Sequence, residues 1–198
     1  MYSSVITSKP LIALTFDDGP TVEGTARLLD ILKEHEVKAT LFVIGNRVAK
    51  LPDLVKRAAD EGHEIGNHTW THPRMSELSR EEALSQLQQT SDAIAAATGR
   101  MPALYRPPYI DTTEELDRWI ENDLGMKVIA ASVDSVDWQD HGAARTQENV
   151  LTKIAPGAII LCHETQPTTL DALPGMLREL QTRGFEFVTV SQLLAPSA

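Results

Sequence analysis

The sequence predicts an α/β protein with a mostly parallel sheet or a barrel, and three observations predict it. Short apolar runs of strand length alternate with segments of helical period. The runs are rich in isoleucine, valine and phenylalanine. Gly62, Gly99 and Gly184 each stand just past a helical segment, where a left-handed residue ends a helix. The 198 residues, 42% of them apolar, suffice for one core of ordinary size, so one domain over 1–198 is expected.

In chain order, LIALTF (11–16) reads as the first strand and TARLLDILKEH (25–35) as a helix. ATLFVIG (39–45) follows as a strand and VAKLPDLVKRAADE (48–61) as a helix. HEIGN (63–67) is a weaker strand. SREEALSQLQQTSDAIAAATG (79–99) is a helix whose start carries a capping box, Ser79 with Glu82. ALYR (103–106) is another weak strand, and TTEELDRWIEND (112–123) a helix with a second box, Thr112 with Glu115. KVIAASV (127–133), AIILCH (158–163) and FEFVTV (185–190) complete the strands, and 143–154 and 172–184 the helices.

Charge and composition exclude several function classes. The formal net charge of −10 opposes association with a nucleic-acid backbone or an anionic membrane face, and no basic patch interrupts it. No window approaches the length of a membrane-spanning helix, and the first residues lack the pattern of an export signal, so a water-soluble monomer is expected. Its place would be cytoplasmic if the chain is whole, and secreted or cell-wall-associated if an export segment has been removed. The single Cys162 rules out an internal disulfide.

The polar residues gather just past the expected strand ends, the edge where parallel α/β folds build their sites. In LTFDDGP (14–20), strand alternation sends Asp17 to one side and Asp18 to the other, so the two acids can serve different tasks. A plain Asp-Gly turn with solvated acids would read the same. In GNHTWTHP (66–73), His68 and His72 share a face if the segment turns as a helix, the spacing with which histidine pairs grasp zinc; a surface turn is the alternative. Two imidazoles and a carboxylate make three protein ligands of a catalytic metal.

YRPPYI (105–110) sets Arg106 before two prolines that donate no N–H, which leaves the Tyr109 amide as the next free donor. VDSVDWQ (133–139) supplies Asp134, Asp137 and Trp138, and ILCHET (160–165) supplies His163. A rigid surface loop, a core tryptophan and a strand-end histidine bonded to backbone are the respective structural alternatives.

In their order and spacing, TFDDGP, HTWTHP, RPPY, DSVDW and LCH resemble the five motifs of the polysaccharide deacetylases with the NodB homology domain, carbohydrate esterase family 4. The resemblance runs from about Leu11 to Thr189. It implies a distorted (β/α) barrel and a metal-dependent hydrolase removing N-acetyl groups from glucosamine polymers, or O-acetyl groups from xylan in some members. It implies Asp17 as catalytic base, and Asp18, His68 and His72 as ligands of zinc, with cobalt or manganese as alternatives. Arg106 would orient Asp17, the Tyr109 N–H would face the oxyanion, and Asp137 would pair with the acid His163. Trp138 and Leu161 would wall the acetyl pocket.

Amide hydrolysis needs this inventory: an activated water, a stabilised oxyanion and a proton for the departing nitrogen. All five of Asp17, Asp18, His68, His72 and His163 are present, as an inactive sugar-binding module would not require. Two departures from the usual motifs bear on substrate rather than reaction. Glu164 follows His163 where aspartate is commoner, and YIDTT follows the prolines without a glycine. Short connections predict a shallow groove for a carbohydrate of few sugars, with nearly neutral chitooligosaccharides preferred over strongly anionic polymers.

Overall fold

A computed structural model describes residues 1–195. Strand β1 (Leu11–Gly19) runs through both aspartates. Ile12, Leu14 and Phe16 pack with Leu28, Leu29 and Leu32 of helix α1 (Val22–Glu34) in the main core. Ala13, one pleat over, joins a second cluster on the other face with Phe42, Leu104, Ile159 and Val190. α1 begins ahead of the expected residue 25, because the Thr21 hydroxyl accepts the Gly24 N–H and caps it.

Strand β2 (Thr40–Val43) leads to a one-turn α2 (Gly45–Val48) and to α3 (Pro52–Asp60). The single helix expected over 48–61 is thus two. Pro52 disfavours helical backbone at Leu51, which sits at φ −132°, ψ 48°, and serves instead as the first residue of α3. After β3 (Glu64–Asn67), α4 (Arg80–Thr98) begins at the expected Ser79–Glu82 box and stops at Gly99, φ 75°.

Past β4 (Leu104–Tyr105), α5 (Glu114–Asp123) is capped by Thr113, not by Thr112 with Glu115. The Thr113 hydroxyl accepts the Leu116 N–H at 3.2 Å, while the Thr112 hydroxyl donates to Asp117. Two adjacent threonines offer the same chemistry, and with the Thr112 hydroxyl engaged by Asp117 the second serves as the cap.

The strand expected over 127–133 is two short pieces, β5 (Lys127–Val128) and β6 (Val133–Asp134), because the chain leaves β4 to pair with β7 (Ile159–His163). Between them the Ala130 N–H donates to the Tyr2 carbonyl. Helix α6 (Ala143–Leu151) precedes β7, and α7 (Pro167–Thr182) follows it, opening at Pro167 rather than at 172. The last expected strand survives as β8 (Glu186–Phe187), since Thr189 and Gln192 form a capping box that starts α8 (Val190–Leu193).

The strands form a curled, parallel sheet in the order β5-β4-β3-β2-β1-β7-β6, with β8 beside the start of β1. It is a half-barrel flanked by helices, as the distorted barrel reading expects. Tyr2 bridges Ile129 and Ser4 bridges Ala158, so the first residues lie along the opening between its ends. Among the described residues no helix is long and apolar enough to cross a membrane.

Candidate metal centre and active site

Parallel register brings the separated motifs to one edge. Asp17 stands opposite His163 across β1 and β7, and Gly19, Val43, Asn67 and Tyr105 are successive partners across β1 to β4. His68 and Arg106 leave the ends of β3 and β4 at that same edge. Backbone at positive φ gathers there too: Asp18, Thr69, His72, Tyr109, Ile110, Val136 and Asp140 all adopt it, whereas Glu36 is the one such non-glycine residue elsewhere among those described. Strain of this kind persists where surrounding contacts hold it, often at functional sites.

Asp17 continues the inward face of β1 after Ala13 and Thr15. Arg106 is fully buried against it, not a surface arginine on a rigid loop. One guanidinium nitrogen donates to Asp17 Oδ1 at 2.8 Å and Thr15 Oγ1 at 2.7 Å, the other to the Ala130 carbonyl at 3.0 Å. The Phe42 ring lies 4.2 Å below its carbon. A buried pair needs such additional partners to offset the loss of water around two charges.

Asp18 does not follow the alternation expected of it. Its φ of 72° and the irregular register between Asp17 and Gly19 turn it toward the histidines, so both acids face one cluster. His68 Nε2 lies 3.8 Å from Asp17 Oδ2 and 3.5 Å from Asp18 Oδ1, and His72 Nε2 lies 3.3 Å from the same Asp18 oxygen. The helical turn expected for the two histidines is absent. Thr69 and His72 are left-handed, and a loop makes the approach, with ring centroids 4.9 Å apart.

Asp18, His68 and His72 form a ligand set suited to a divalent metal, with one donor atom of each within 4.8 Å of the others. Four tetrahedral ligands about 2.1 Å from a zinc ion stand about 3.4 Å apart, which matches the two Asp18–histidine separations. Asp18 Oδ1 is buried and has no hydrogen-bond partner, an orphan that a cation would satisfy. The second ring nitrogen of His68 is fixed: Nδ1 lies 2.8 Å from the Arg106 carbonyl, which can only accept, so Nε2 carries the free lone pair. Burial raises the Asp18 pKa, but the neighbouring His68 and His72 outweigh it and hold the carboxyl down at about 2. Burial lowers the pKa of His72, which favours the neutral, ligating imidazole.

Across the edge, Asp137 Oδ1 lies 2.7 Å from His163 Nδ1, and Asp137 Oδ2 accepts the His163 N–H at 2.7 Å and the Thr169 hydroxyl. Burial disfavours charge on His163. The Asp137 bond, together with attraction to Asp137, Asp17 and Asp18, outweighs it and raises the imidazolium pKa to about 9. Leu161, two positions back on β7, shares the face of His163. Trp138 stands on a short 3-10 turn and is 56% exposed, so it is not a core residue. The Tyr109 N–H donates to no group among the described residues, while its ring packs 4.7 Å from that of His72.

Some supporting residues carried no signal in sequence. Asn67 accepts the Thr69 N–H and donates to the Leu87 carbonyl and Ser91, which shapes the loop between the histidines. Thr169 steadies Asp137 from α7, and Arg47 donates to the Asp18 carbonyl. The Glu164 carboxyl fills the space against Gly19 that a Cβ would need. A cavity of about 410 Å³ lies at the opposite end of the strands, lined by His63, Ile65, Ile94 and Met101, and shares no residue with this centre.

Residues 4–129 match the polysaccharide deacetylase family model. The chain is 41% identical over 182 residues to the peptidoglycan-N-acetylglucosamine deacetylase PgdA of Listeria monocytogenes, covering 92% of this chain and 38% of that protein. It is 39% identical over 194 residues to a peptidoglycan-N-acetylglucosamine deacetylase of Bacillus cereus, covering 96% of this chain and 70% of the relative. A crystal structure of a peptidoglycan N-acetylglucosamine deacetylase in complex with 4-naphthalen-1-yl-N-oxidanyl-benzamide superposes with a TM-score of 0.94 at 37% identity, over 98% of this chain and 92% of that one. By sequence along nearly its whole length and by fold, this chain belongs to the polysaccharide deacetylase family.

Proposed function

We propose that the chain is a metal-dependent hydrolase that removes N-acetyl groups from N-acetylglucosamine units of chitooligosaccharide or peptidoglycan-like glycans. The observation that carries this reading is the placement of the buried Arg106–Asp17 pair and the Asp137–His163 pair beside one metal-ligand set. The names of the two relatives support the substrate class. Zinc suits the mixed imidazole and carboxylate donors, and cobalt or manganese can take the same place.

A divalent cation held by Asp18, His68 and His72 would supply Lewis acidity toward a water and the acetyl carbonyl. Asp17, held by Arg106, takes a proton from the attacking water. The free Tyr109 N–H donates to the developing oxyanion. His163 presents Nε2 to the substrate because Nδ1 is committed to Asp137, and it passes its proton to the departing nitrogen, which cannot leave as an anion. Trp138 and Leu161 would line the space for the acetyl methyl. A sugar-binding module without chemistry has no use for a raised His163 or a clamped Asp17.

The test is acetate release, resolved by mass, from chitooligosaccharides, peptidoglycan fragments and acetylated xylooligosaccharides. Release from the N-acetylated glycans is expected. Release from the xylan fragments alone would make the protein an O-acetyl esterase.

A further inference from the structure

Arg74 stands two residues after His72, with Pro73 between them limiting the backbone. Its guanidinium carbon lies 4.7 Å above the centre of the Tyr109 ring, and that ring in turn packs 4.7 Å from His72. Tyr109 is 61% exposed and Arg74 is exposed, so the stacked pair stands at the mouth of the metal centre. Arg74 has no ion-pair partner among the described residues, unlike Arg27, Arg57, Arg80, Arg106, Arg145 and Arg183. Asp111, two residues beyond Tyr109, is engaged by the Ser76 hydroxyl. Arg47, Arg100, Arg118 and Arg178 likewise make no ion pair among the described residues, so what sets Arg74 apart is its stack on Tyr109 beside His72.

We propose that Arg74 is a specificity-determining residue that favours glycans bearing a carboxylate on the sugar next to the reacting N-acetylglucosamine. The inference rests on the deacetylase reading. Stacking on Tyr109 orients the guanidinium before substrate arrives, which reduces the side-chain entropy lost on binding. Its planar fork matches a carboxylate in two-point contact. A chitooligosaccharide has no charge to offer it. An ether-linked lactyl carboxylate, free on alternate sugars of a bacterial-wall glycan whose stem peptides have been removed, does. The acidic surface still repels such a chain at a distance, but that repulsion is screened beyond about 8 Å at physiological salt and the contact is not.

The experiment measures kcat and KM on three tetrasaccharides: chitotetraose, an alternating N-acetylglucosamine and N-acetylmuramic acid tetramer with free lactyl carboxylates, and that tetramer as its methyl ester. The variants are Arg74→Gln and Arg74→Lys. Arg74→Gln is expected to lower the kcat/KM ratio of the free acid to chitotetraose roughly five-fold, as a partly exposed ion pair allows, with the loss in KM. Arg74→Lys should recover part of that ratio, and the ester-to-chitotetraose ratio should not follow it. A shift of the Tyr109 loop alone would hit all three substrates and leave both ratios as they were. An unchanged free-acid ratio in Arg74→Gln, or an equal fall with the ester, overturns the inference while activity on chitotetraose sustains the deacetylase reading. No acetate from any of the three with the parent protein removes both.

Discussion

Asp137 holds His163 at two points, its carboxylate lying 2.7 Å from the ring Nδ1 and 2.7 Å from the backbone nitrogen. The ring can neither turn nor exchange its tautomer without breaking a buried bond. In the proposed role of proton donor, His163 must start protonated, so activity should fall on the alkaline side as its proton is lost. Asp137→Asn removes the charge that raises the pKa, and burial then pulls it below the 9 or so of the parent. We expect the alkaline limb of kcat/KM to move to lower pH and the rate at pH 8 to fall about 100-fold or more. An unmoved limb in a pH–rate profile would take the acid role away from His163.

Arg106 and Asp17 are both buried, and removing one leaves the other charged without a partner. Arg106→Ala should lower the unfolding free energy obtained from a urea titration by about 3–5 kcal/mol. Arg106→Lys should recover little, since an ammonium cannot span Asp17, Thr15 and the Ala130 carbonyl from one planar group. A cost under about 1 kcal/mol for either variant would show that the pair is not the anchor described.

The ligand set predicts one divalent metal per chain. Elemental analysis of protein purified without chelator should give near-unit occupancy, and the His68→Ala, His72→Ala double variant should lose it, as one carboxylate is a weak site alone. Equal occupancy in parent and variant would place the metal elsewhere.

Glu164 is fully buried behind the Asp18–Gly19 turn, and burial raises its pKa from 4.5 to about 7 against the opposing Thr25 and Thr21 hydrogen bonds. The folded chain therefore holds this proton more tightly than the unfolded chain. Its contribution is full below pH 4.5 and is lost as pH rises toward 7, an effect of about 1–3 kcal/mol. Glu164→Gln keeps an acceptor for the Thr25 hydroxyl and cannot ionise. It should be more stable than the parent at pH 8, with the difference closing by pH 4.5, in urea titrations at both values. A difference independent of pH would mean that Glu164 does not titrate in the folded state.

The sequence made most of the architecture legible, because short apolar runs such as LIALTF and caps such as Ser79–Glu82 are local signals. What it hid was set by distant contacts. Pro52 is a local break signal, but proline alone does not decide the matter, since Pro174 sits inside α7; 127–133 broke because its two ends pair with different strands. The candidate ligands were readable as residue types in order, yet their geometry was not. His68 and His72 meet through left-handed Thr69 and His72 rather than along a helix, and Asp18 escapes the strand alternation at φ 72°. Thr169 and Asn67 left no trace in sequence, since a lone threonine or asparagine acquires its meaning only from the partner it meets in the fold.

The most direct test of the account is acetate release from chitotetraose by protein stripped of metal and then titrated with zinc. The account predicts negligible release from the stripped protein, recovery that saturates at one equivalent, and no recovery in Asp17→Asn despite equal zinc uptake. Release that persists without metal, or an Asp17→Asn variant as active as the parent at one equivalent, would contradict it.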